Sequence, residues 1–142
     1  MKIKMTKFEI LAEFVKDISS ETKDVKTYLF VKDYISKYQL SIDIGSKPTK
    51  NKLVEITTTL KFEDKQNSEK KSYFELSYVT IIKIDESVKE RKEIEKIILC
   101  DEQKEIQHRL EKSFTDLINN AGFSNVNVKN IDFEKLYNSR SI

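Results

Sequence analysis

The stretch Ser72-Tyr73-Phe74-Glu75-Leu76-Ser77-Tyr78-Val79-Thr80-Ile81-Ile82-Lys83-Ile84 decides how this chain folds. Aromatic and β-branched residues dominate it, and neither Gly nor Pro interrupts it, so it predicts a β-strand. Strand geometry sends alternate side chains to opposite faces, and we expect one face in the core: Phe74, Leu76, Tyr78, Ile82 and Ile84. The other face mixes apolar residues with a carboxylate, which is typical of a contact surface: Tyr73, Glu75, Ser77, Val79, Ile81 and Lys83.

Two further strands precede this one. Residues 38–44 alternate between apolar and polar, and the segment 45–51, which holds the only Pro, predicts a turn after them. The next strand covers 54–62, where a run of three Thr is β-branched and therefore poor in a helix. The polar segment 63–71 predicts a hairpin loop, so the three strands form an antiparallel meander.

The pattern of residues 8–18 fits two kinds of element. One apolar set alternates as in a strand: Phe8, Ile10, Ala12 and Phe14. A second set fits one stripe of a helix: Phe8, Leu11, Ala12 and Val15. Periodicity alone leaves both interpretations open, and the polar residues 19–24 predict a loop or the end of a strand.

The last third of the chain changes to a helical pattern. From Asp101 on, apolar residues recur at steps of three and four: Ile106, Leu110, Phe114, Leu117, Ile118 and Ala121. Gly122 can adopt the left-handed conformation that ends a helix, and Asp132 predicts the N-cap of a last helix over 133–138, with Ile131 and Leu136 packing across its start. Strands first and helices second predict an α+β fold, with the helices on one face of an antiparallel sheet.

Length and composition limit the possible classes of protein. A chain of 142 residues forms one domain, 1–142, and is long enough to bury a core. No apolar run approaches the roughly 20 residues that span a bilayer, and residues 1–7 lack the apolar region of a signal peptide. The single cysteine, Cys100, excludes an internal disulfide framework and fits a reducing cytoplasm. The 26 basic and 24 acidic residues are intermixed, so no basic stripe predicts nucleic-acid binding.

No pattern of residues marks an active site. His108 is the only histidine, and its spacing from Cys100 is neither that of metal ligands nor that of a nucleophile and its base. The two glycines form no loop that could cradle a phosphate. The carboxylates are many, but none stands in a context that marks a general acid. The sequence therefore predicts a protein that is not an enzyme and that uses no metal and no cofactor.

Several stretches together resemble the SecB family of bacterial protein-export chaperones. Val15-Lys16-Asp17-Ile18-Ser19 is similar to a strand-end motif of that family, and 38–44 to its alternating second strand. Residues 74–84 are similar to the strand that carries a glutamate in the family. The most specific match is Gly122-Phe123-Ser124-Asn125-Val126-Asn127-Val128 followed by 131–137, which is similar to Phe-Pro-x-Leu-x-Leu-x-Pro-Val-Asn-Phe-Asp-x-Leu-Phe. The resemblance covers residues 8–138.

The resemblance implies a fold, an activity and partners. It implies that residues 8–18 form a strand, which gives a four-stranded antiparallel sheet followed by two helices packed on it. It implies a cytoplasmic homotetramer, a dimer of dimers, that holds unfolded precursor proteins without ATP and delivers them to the SecA ATPase. The mixed face of the central strand also predicts assembly, because Tyr73, Val79 and Ile81 are too apolar for the surface of a monomer.

The resemblance also carries site residues onto this chain. Its SecA-contacting residues are Asp17, Glu21, Tyr73 and Glu75, and its client-binding groove includes Tyr38, Leu40 and Ile42. Without the resemblance, the groove residues are ordinary core and the carboxylates are solvated. Two other functions fit the sequence: a SecB-like chaperone dedicated to one client such as an antitoxin, and an adaptor that joins two folded partners through its sheet.

Overall fold

Four strands form one antiparallel sheet in the order β1-β4-β3-β2. The computed structural model describes residues 7–66 and 69–140. The strands cover β1 Phe8–Glu21, β2 Gln39–Pro48, β3 Leu53–Glu63 and β4 Tyr73–Ile84. The decisive stretch is the inner strand β4, which pairs with β1 on one side and β3 on the other. The predicted four-stranded antiparallel sheet, with its β2-β3-β4 meander, is confirmed.

The helices of the described ranges are α1 Val25–Tyr34, α2 Arg91–Lys96, α3 Glu102–Asn120 and α4 Phe133–Arg140. A π-helical turn, Ile97–Asp101, joins α2 to α3. The predicted helices α3 and α4 are confirmed, and Asp132 caps α4 by accepting a hydrogen bond from the Lys135 amide at 2.9 Å. Helices α1 and α2 were not expected from the sequence. No helix within 7–66 and 69–140 is both long and apolar enough to cross a membrane.

Two β-bulges interrupt the pairing of β1 with β4. The register moves by one residue between Ile10 and Ala12 and again between Val15 and Asp17, so Leu11 and Lys16 are the extra residues. Directly paired residues point to the same face of a sheet. The two bulges therefore turn different parts of β1 toward the helices, and apolar side chains reach both faces of this edge strand.

The core lies on one face of the sheet, here called the helix face. Its main cluster joins the even-numbered residues of β4 to the stripe of α3 that includes Ile106, Leu110, Phe114 and Ile118. A second cluster, around Ile56, Ile82 and Ile97, packs the π-helical turn against the sheet. The expected core face of β4 is confirmed, because Phe74, Leu76 and Ile82 are fully buried.

The expectation that Val79 is exposed on the opposite face, here called the open face, was wrong. Val79 is only 1% exposed within the single chain. It pairs with Phe14 of β1 on one side and Thr57 of β3 on the other, and both side chains point to the same face as Val79. Neighbouring side chains on an inner strand can thus bury an apolar residue without a partner molecule.

The turn after β2 lies later than the sequence predicts. Residues 45–48 still pair with β3, and the chain reverses at Thr49–Lys52, where Asn51 and Lys52 have φ values of 70° and 61°. Pro48 is tolerated because β2 is an edge strand, where a missing amide donor breaks no internal ladder.

Gly122 ends α3 as predicted, and its position also ties α3 to α1. Its φ of 106° is in the region that disfavours side chains, and its carbonyl accepts a hydrogen bond from the Tyr28 hydroxyl at 2.7 Å. A Cβ atom there would lie 2.7 Å from Cε1 of Tyr28.

We therefore expect Gly122→Ala to lower the free energy of unfolding by about 1–3 kcal/mol, because it adds backbone strain and a steric clash. Chemical denaturation at fixed protein concentration measures this. Gly45→Ala is the control, because a Cβ atom at Gly45 would have no neighbouring atom within 4 Å. Equal losses for both variants would contradict the role given to Tyr28.

Candidate functional site

The four residues that the resemblance assigns to SecA lie on adjacent strands at one end of the sheet. Glu21 pairs with Tyr73, and Ser19, between the two acidic residues of β1, pairs with Glu75. Asp17 pairs with Ser77. Paired residues share a face, so all four side chains belong to the open face. The register therefore brings together residues that are more than 50 positions apart in the sequence.

Tyr73 lies among the carboxylates of this acidic cluster, and they affect its pKa. Burial and the neighbouring Glu75, followed by Glu63 and Asp17, raise the pKa of Tyr73 to about 12. Lys61 of β3 lies 3.5 Å from the Glu75 carboxylate. Glu75 thus already has a cationic neighbour in the sheet, while Asp17 and Glu21 are exposed. The cluster is an acidic rim with one internal counter-ion.

Two of the three predicted groove residues line a cavity of about 540 Å³, here called the β2 groove: Tyr38, just before β2, and Leu40 on β2. Ile42, also on β2, does not line it. Tyr38 and Leu40 line it with Phe62, and the opposite wall is the segment 125–129. Tyr38 is nevertheless 7% exposed, and its hydroxyl accepts a hydrogen bond from the Ser72 amide at 2.9 Å. Leu40 and Ile42 are half-buried against the main core. The groove therefore has a fixed aromatic floor, in which the rings of Tyr38 and Phe62 are 5.4 Å apart.

A second apolar surface, which the sequence analysis did not single out, follows the unpaired edge of β1. Its side chains are 43–50% exposed although they are large and apolar: Leu11, Phe14, Val15 and Ile18. Helix α1 also has exposed apolar residues: Val25, Leu29 and Phe30. An edge strand with exposed apolar side chains can pair with another chain, since its amide and carbonyl groups are also unpaired.

An ion pair fixes β1 to the helix layer. Arg109 of α3 donates hydrogen bonds to the Glu13 carboxylate, one of them 2.8 Å long, and the Tyr78 hydroxyl donates to the same group. Burial acts to raise the pKa of Glu13, but the bonds from Tyr78 and Arg109 outweigh it and lower this pKa. The edge strand is thus held in place while its apolar side chains stay accessible.

A buried polar network lies where α3 begins. Glu102 and Gln103 are fully buried. Glu102 accepts a hydrogen bond from the Thr80 hydroxyl at 2.6 Å and one from the Gln103 amide at 3.0 Å, and Gln103 also bonds to Thr58 at 2.8 Å. Burial raises the pKa of Glu102 to about 7. The burial of Glu102 could have been predicted from the sequence, because Glu102 lies four residues before Ile106 and therefore on the apolar stripe of α3.

The surfaces described above are of kinds that suit binding. Within 7–66 and 69–140, no three His, Cys, Asp or Glu side chains come together in a way that could hold a metal ion. Apolar grooves and open strand edges are the types of surface by which protein domains recognise peptide segments.

The comparisons with known proteins identify the family. The family model described as preprotein translocase subunit SecB matches residues 2–141. The chain therefore belongs to the SecB family.

One curated relative supports this assignment, and one solved structure has a similar fold. A curated protein of Pelagibacter ubique (strain HTCC1062), described as a protein-export protein SecB, is 47% identical over 135 residues, which cover 94% of this chain and 96% of that protein. A solved structure of a Mycobacterium tuberculosis SecB-like chaperone, in complex with a ChAD peptide from the HigA1 antitoxin, has a similar fold with a TM-score of 0.64. Its sequence identity is 6%, over 88% of this chain and 91% of that chain, so the likeness is one of fold.

Proposed function

We propose that this protein is an ATP-independent chaperone of the cytoplasm, which holds unfolded precursor proteins ready for export and delivers them to SecA. The observation that carries the proposal is the match of the SecB family model to residues 2–141. The relative described as a protein-export protein supports the export role. The protein acts by binding and not by catalysis.

The surfaces of the chain agree with such an activity. Each apolar side chain of a client contributes only about 1.5–3 kcal/mol when it is buried, and part of this offsets the entropy lost by an ordered client. The β2 groove, at about 540 Å³, has room for a few side chains only. A stable hold therefore requires several grooves in one particle, so that a client chain can bind many of them at once.

The direct test uses an unrelated protein unfolded in denaturant and diluted into buffer without ATP. We expect the purified chain to delay its refolding or aggregation when present in excess. Light scattering and the recovered activity of the client measure the effect, and bovine serum albumin at equal mass is the control. Refolding at an unchanged rate would contradict the proposal.

A second candidate function is holding one dedicated client. The similar structure from M. tuberculosis contains an antitoxin peptide, which favours this alternative. Client range separates the two functions. A general export chaperone delays the aggregation of several unrelated proteins, whereas a dedicated one delays that of its own client alone.

The oligomer that we propose is a tetramer, a dimer of dimers. The support comes from β1, whose four exposed apolar side chains stand on an unpaired strand edge. Two copies can pair their β1 edges and extend the sheet across both chains, which would cover this apolar surface. The interface is thus expected on β1 and not at Val79.

Phe14→Asp is expected to reduce the mass of the assembly. Phe14 is 48% exposed in the single chain, so an aspartate there keeps its carboxylate in solvent in the monomer, at the cost of part of the cover of Val79, but places a charge in the interface. Light scattering at micromolar concentration measures the mass, and Val25→Asp, at a residue that is 73% exposed on α1, is the matched control. An unchanged tetramer in Phe14→Asp would place the interface elsewhere.

Delivery to SecA is proposed to use the acidic rim of Asp17, Glu21 and Glu75 with Tyr73 between them. Rim charges of this kind mainly set the rate and the salt dependence of association. The net charge of +2 gives no long-range attraction for a basic partner, so the attraction must be local.

Glu75→Lys is expected to weaken SecA binding while client holding and the tetramer stay intact. The substitution replaces the carboxylate beside Lys61 with a second cation and removes most of the negative charge of the rim. Titration of SecA at low and at moderate salt measures it. Glu55→Lys is the control, because Glu55 lies on the same open face and also has a lysine partner, Lys47, at 3.3 Å. Equal SecA affinity of Glu75→Lys and wild type would show that the site is wrong.

A further inference from the structure

Lys61 of β3 stands on the open face of the sheet, directly beside the acidic rim. It pairs with Glu75 of β4 on one side and with Ser41 of β2 on the other, and paired residues share a face. Its ammonium lies 3.5 Å from the Glu75 carboxylate. Glu75, the rim carboxylate of the central strand, therefore has a cationic partner within its own chain.

This ion pair lies in the path of any basic partner that docks on the rim. The Lys61 side chain is 43% exposed, whereas that of Glu75 is only 21% exposed. A basic segment that approaches from solvent therefore meets the Lys61 ammonium at least as readily as the Glu75 carboxylate, and like charges repel each other. The segment can use Glu75 in full only after Lys61 has moved away.

The open face offers Lys61 other acceptors close by. A hollow of about 520 Å³ is lined by Lys61 together with three carboxylates, those of Glu75, Asp43 and Glu63. Asp43 pairs with Thr59, two residues before Lys61, so Asp43 and Lys61 are diagonal neighbours on one face. Such neighbours are about 7–8 Å apart, within reach of a long side chain. Glu63 follows Lys61 by two residues on β3 and shares its face.

We propose that Lys61 sets the affinity of the acidic rim for a basic partner. In the free chain it neutralises Glu75, and a docked basic segment displaces it toward Asp43 and Glu63. The cost of this exchange is small, because exposed ion pairs hold weakly and the ammonium keeps carboxylates around it. The inference rests on the proposed delivery to SecA, since it concerns the same rim, and Lys61 acts through Glu75 and not by touching the partner.

The exchange makes the rim selective among cationic chains. A client segment with a single lysine or arginine gains little at Glu75, because it only replaces the cation that is already there. A segment with several basic residues gains at Asp17 and Glu21 as well, and these carboxylates are exposed. An internal counter-ion thus acts against weakly basic competitors and allows one strongly basic partner.

The test is a titration of SecA with the full chain carrying Lys61→Met, which keeps most of the aliphatic side chain and removes its charge. We expect the dissociation constant to fall about two- to fivefold at low salt, the range for one exposed ion pair. The gain should shrink at moderate salt, because exposed charges are screened.

Lys47→Met is the matched control. It makes the same change of charge on the same open face, where Lys47 lies 3.3 Å from Glu55. Glu55 is six residues before Lys61 on β3, about 20 Å along the strand. We expect no gain in SecA affinity for Lys47→Met. Equal gains for the two variants would show an effect of net charge alone and overturn the proposal.

A double-mutant comparison tests whether Lys61 acts through Glu75. In a chain that carries Glu75→Gln, adding Lys61→Met should lose most of its effect on SecA affinity. A gain of the same size in that background would overturn the proposal. Lys61→Met alone should keep the mass and the client holding of the wild type, and loss of either would assign Lys61 a different role and overturn the proposal.

The outcomes separate this inference from the proposed function. If SecA binds the wild type and Lys61→Met equally well, the role of Lys61 is overturned and delivery to SecA stands. If SecA binds neither chain, both the delivery to SecA and the role of Lys61 are overturned.

Discussion

Phe114→Ala is expected to lower the free energy of unfolding by about 3–5 kcal/mol, the range for losing a large buried aromatic side chain. Phe114 is fully buried in the main core cluster, on the stripe of α3 that packs on the sheet. The substitution removes the apolar contacts of the ring and leaves a cavity that close-packed neighbours fill only in part.

Denaturant titration at one fixed protein concentration measures this effect, because assembly adds to the apparent stability. Leu117→Ala is the matched control, since Leu117 is on the same helix but only partly buried against the cluster. We expect the smaller loss for Leu117→Ala. A loss of unfolding free energy well below about 1 kcal/mol for Phe114→Ala would show that the apolar stripe of α3 is not packed in the core.

Glu102→Gln is expected to stabilise the protein relative to wild type, and increasingly so as the pH rises. The pKa of Glu102 is raised from 4.5 to about 7 because burial disfavours its charged form. The folded state therefore holds a proton that the unfolded chain releases between these values. The contribution of Glu102 to stability is full below pH 4.5 and is lost as the pH rises to about 7. The free energy of unfolding lost between these two pH values amounts to about 3 kcal/mol, since one unit of pKa corresponds to about 1.4 kcal/mol.

The glutamine variant has no such dependence, because it is neutral at every pH. Its amide oxygen can accept from Gln103 while its amide group donates to the Thr80 hydroxyl, which can act as an acceptor. Unfolding free energies of wild type and variant between pH 5 and 8 measure the effect, and Glu105→Gln, at an exposed position of the same helix, is the control. A difference between Glu102→Gln and wild type that stays constant over this range would contradict the buried, protonated state.

The strands of the meander and the last two helices could be predicted because each has one period over its whole length. β1 could not be assigned from periodicity, and its bulges explain why. On the helix face its residues are spaced by two and by three in turn: Phe8, Ile10, Glu13, Val15, Ile18 and Ser20. This mixture of spacings resembles both a strand and a helix. The family resemblance, and not the periodicity, predicted that residues 8–18 form a strand.

Other features depend on the tertiary fold. Helix α1 leaves Val25, Leu29 and Phe30 exposed and buries only Thr27 and Val31, so it has no continuous apolar stripe to find. Val79 was expected at the surface, because the cover from Phe14 and Thr57 exists only once the strands are in register. The meeting of Asp17 and Glu21 with Tyr73 and Glu75 also requires the β1-β4 register, which the spacing of these residues in the sequence does not contain.

The bulges of β1 also bear on polymerisation. A long, flat strand edge with apolar side chains is a template on which identical chains can stack into fibres, and such growth needs an uninterrupted repeat. Leu11 and Lys16 interrupt the repeat at two points, and a bulged strand bends and twists out of the flat geometry. Lys16 in addition places a charge on the edge that each new strand would have to bury. The same edge can therefore accept one matching neighbour and still resist open-ended fibril growth.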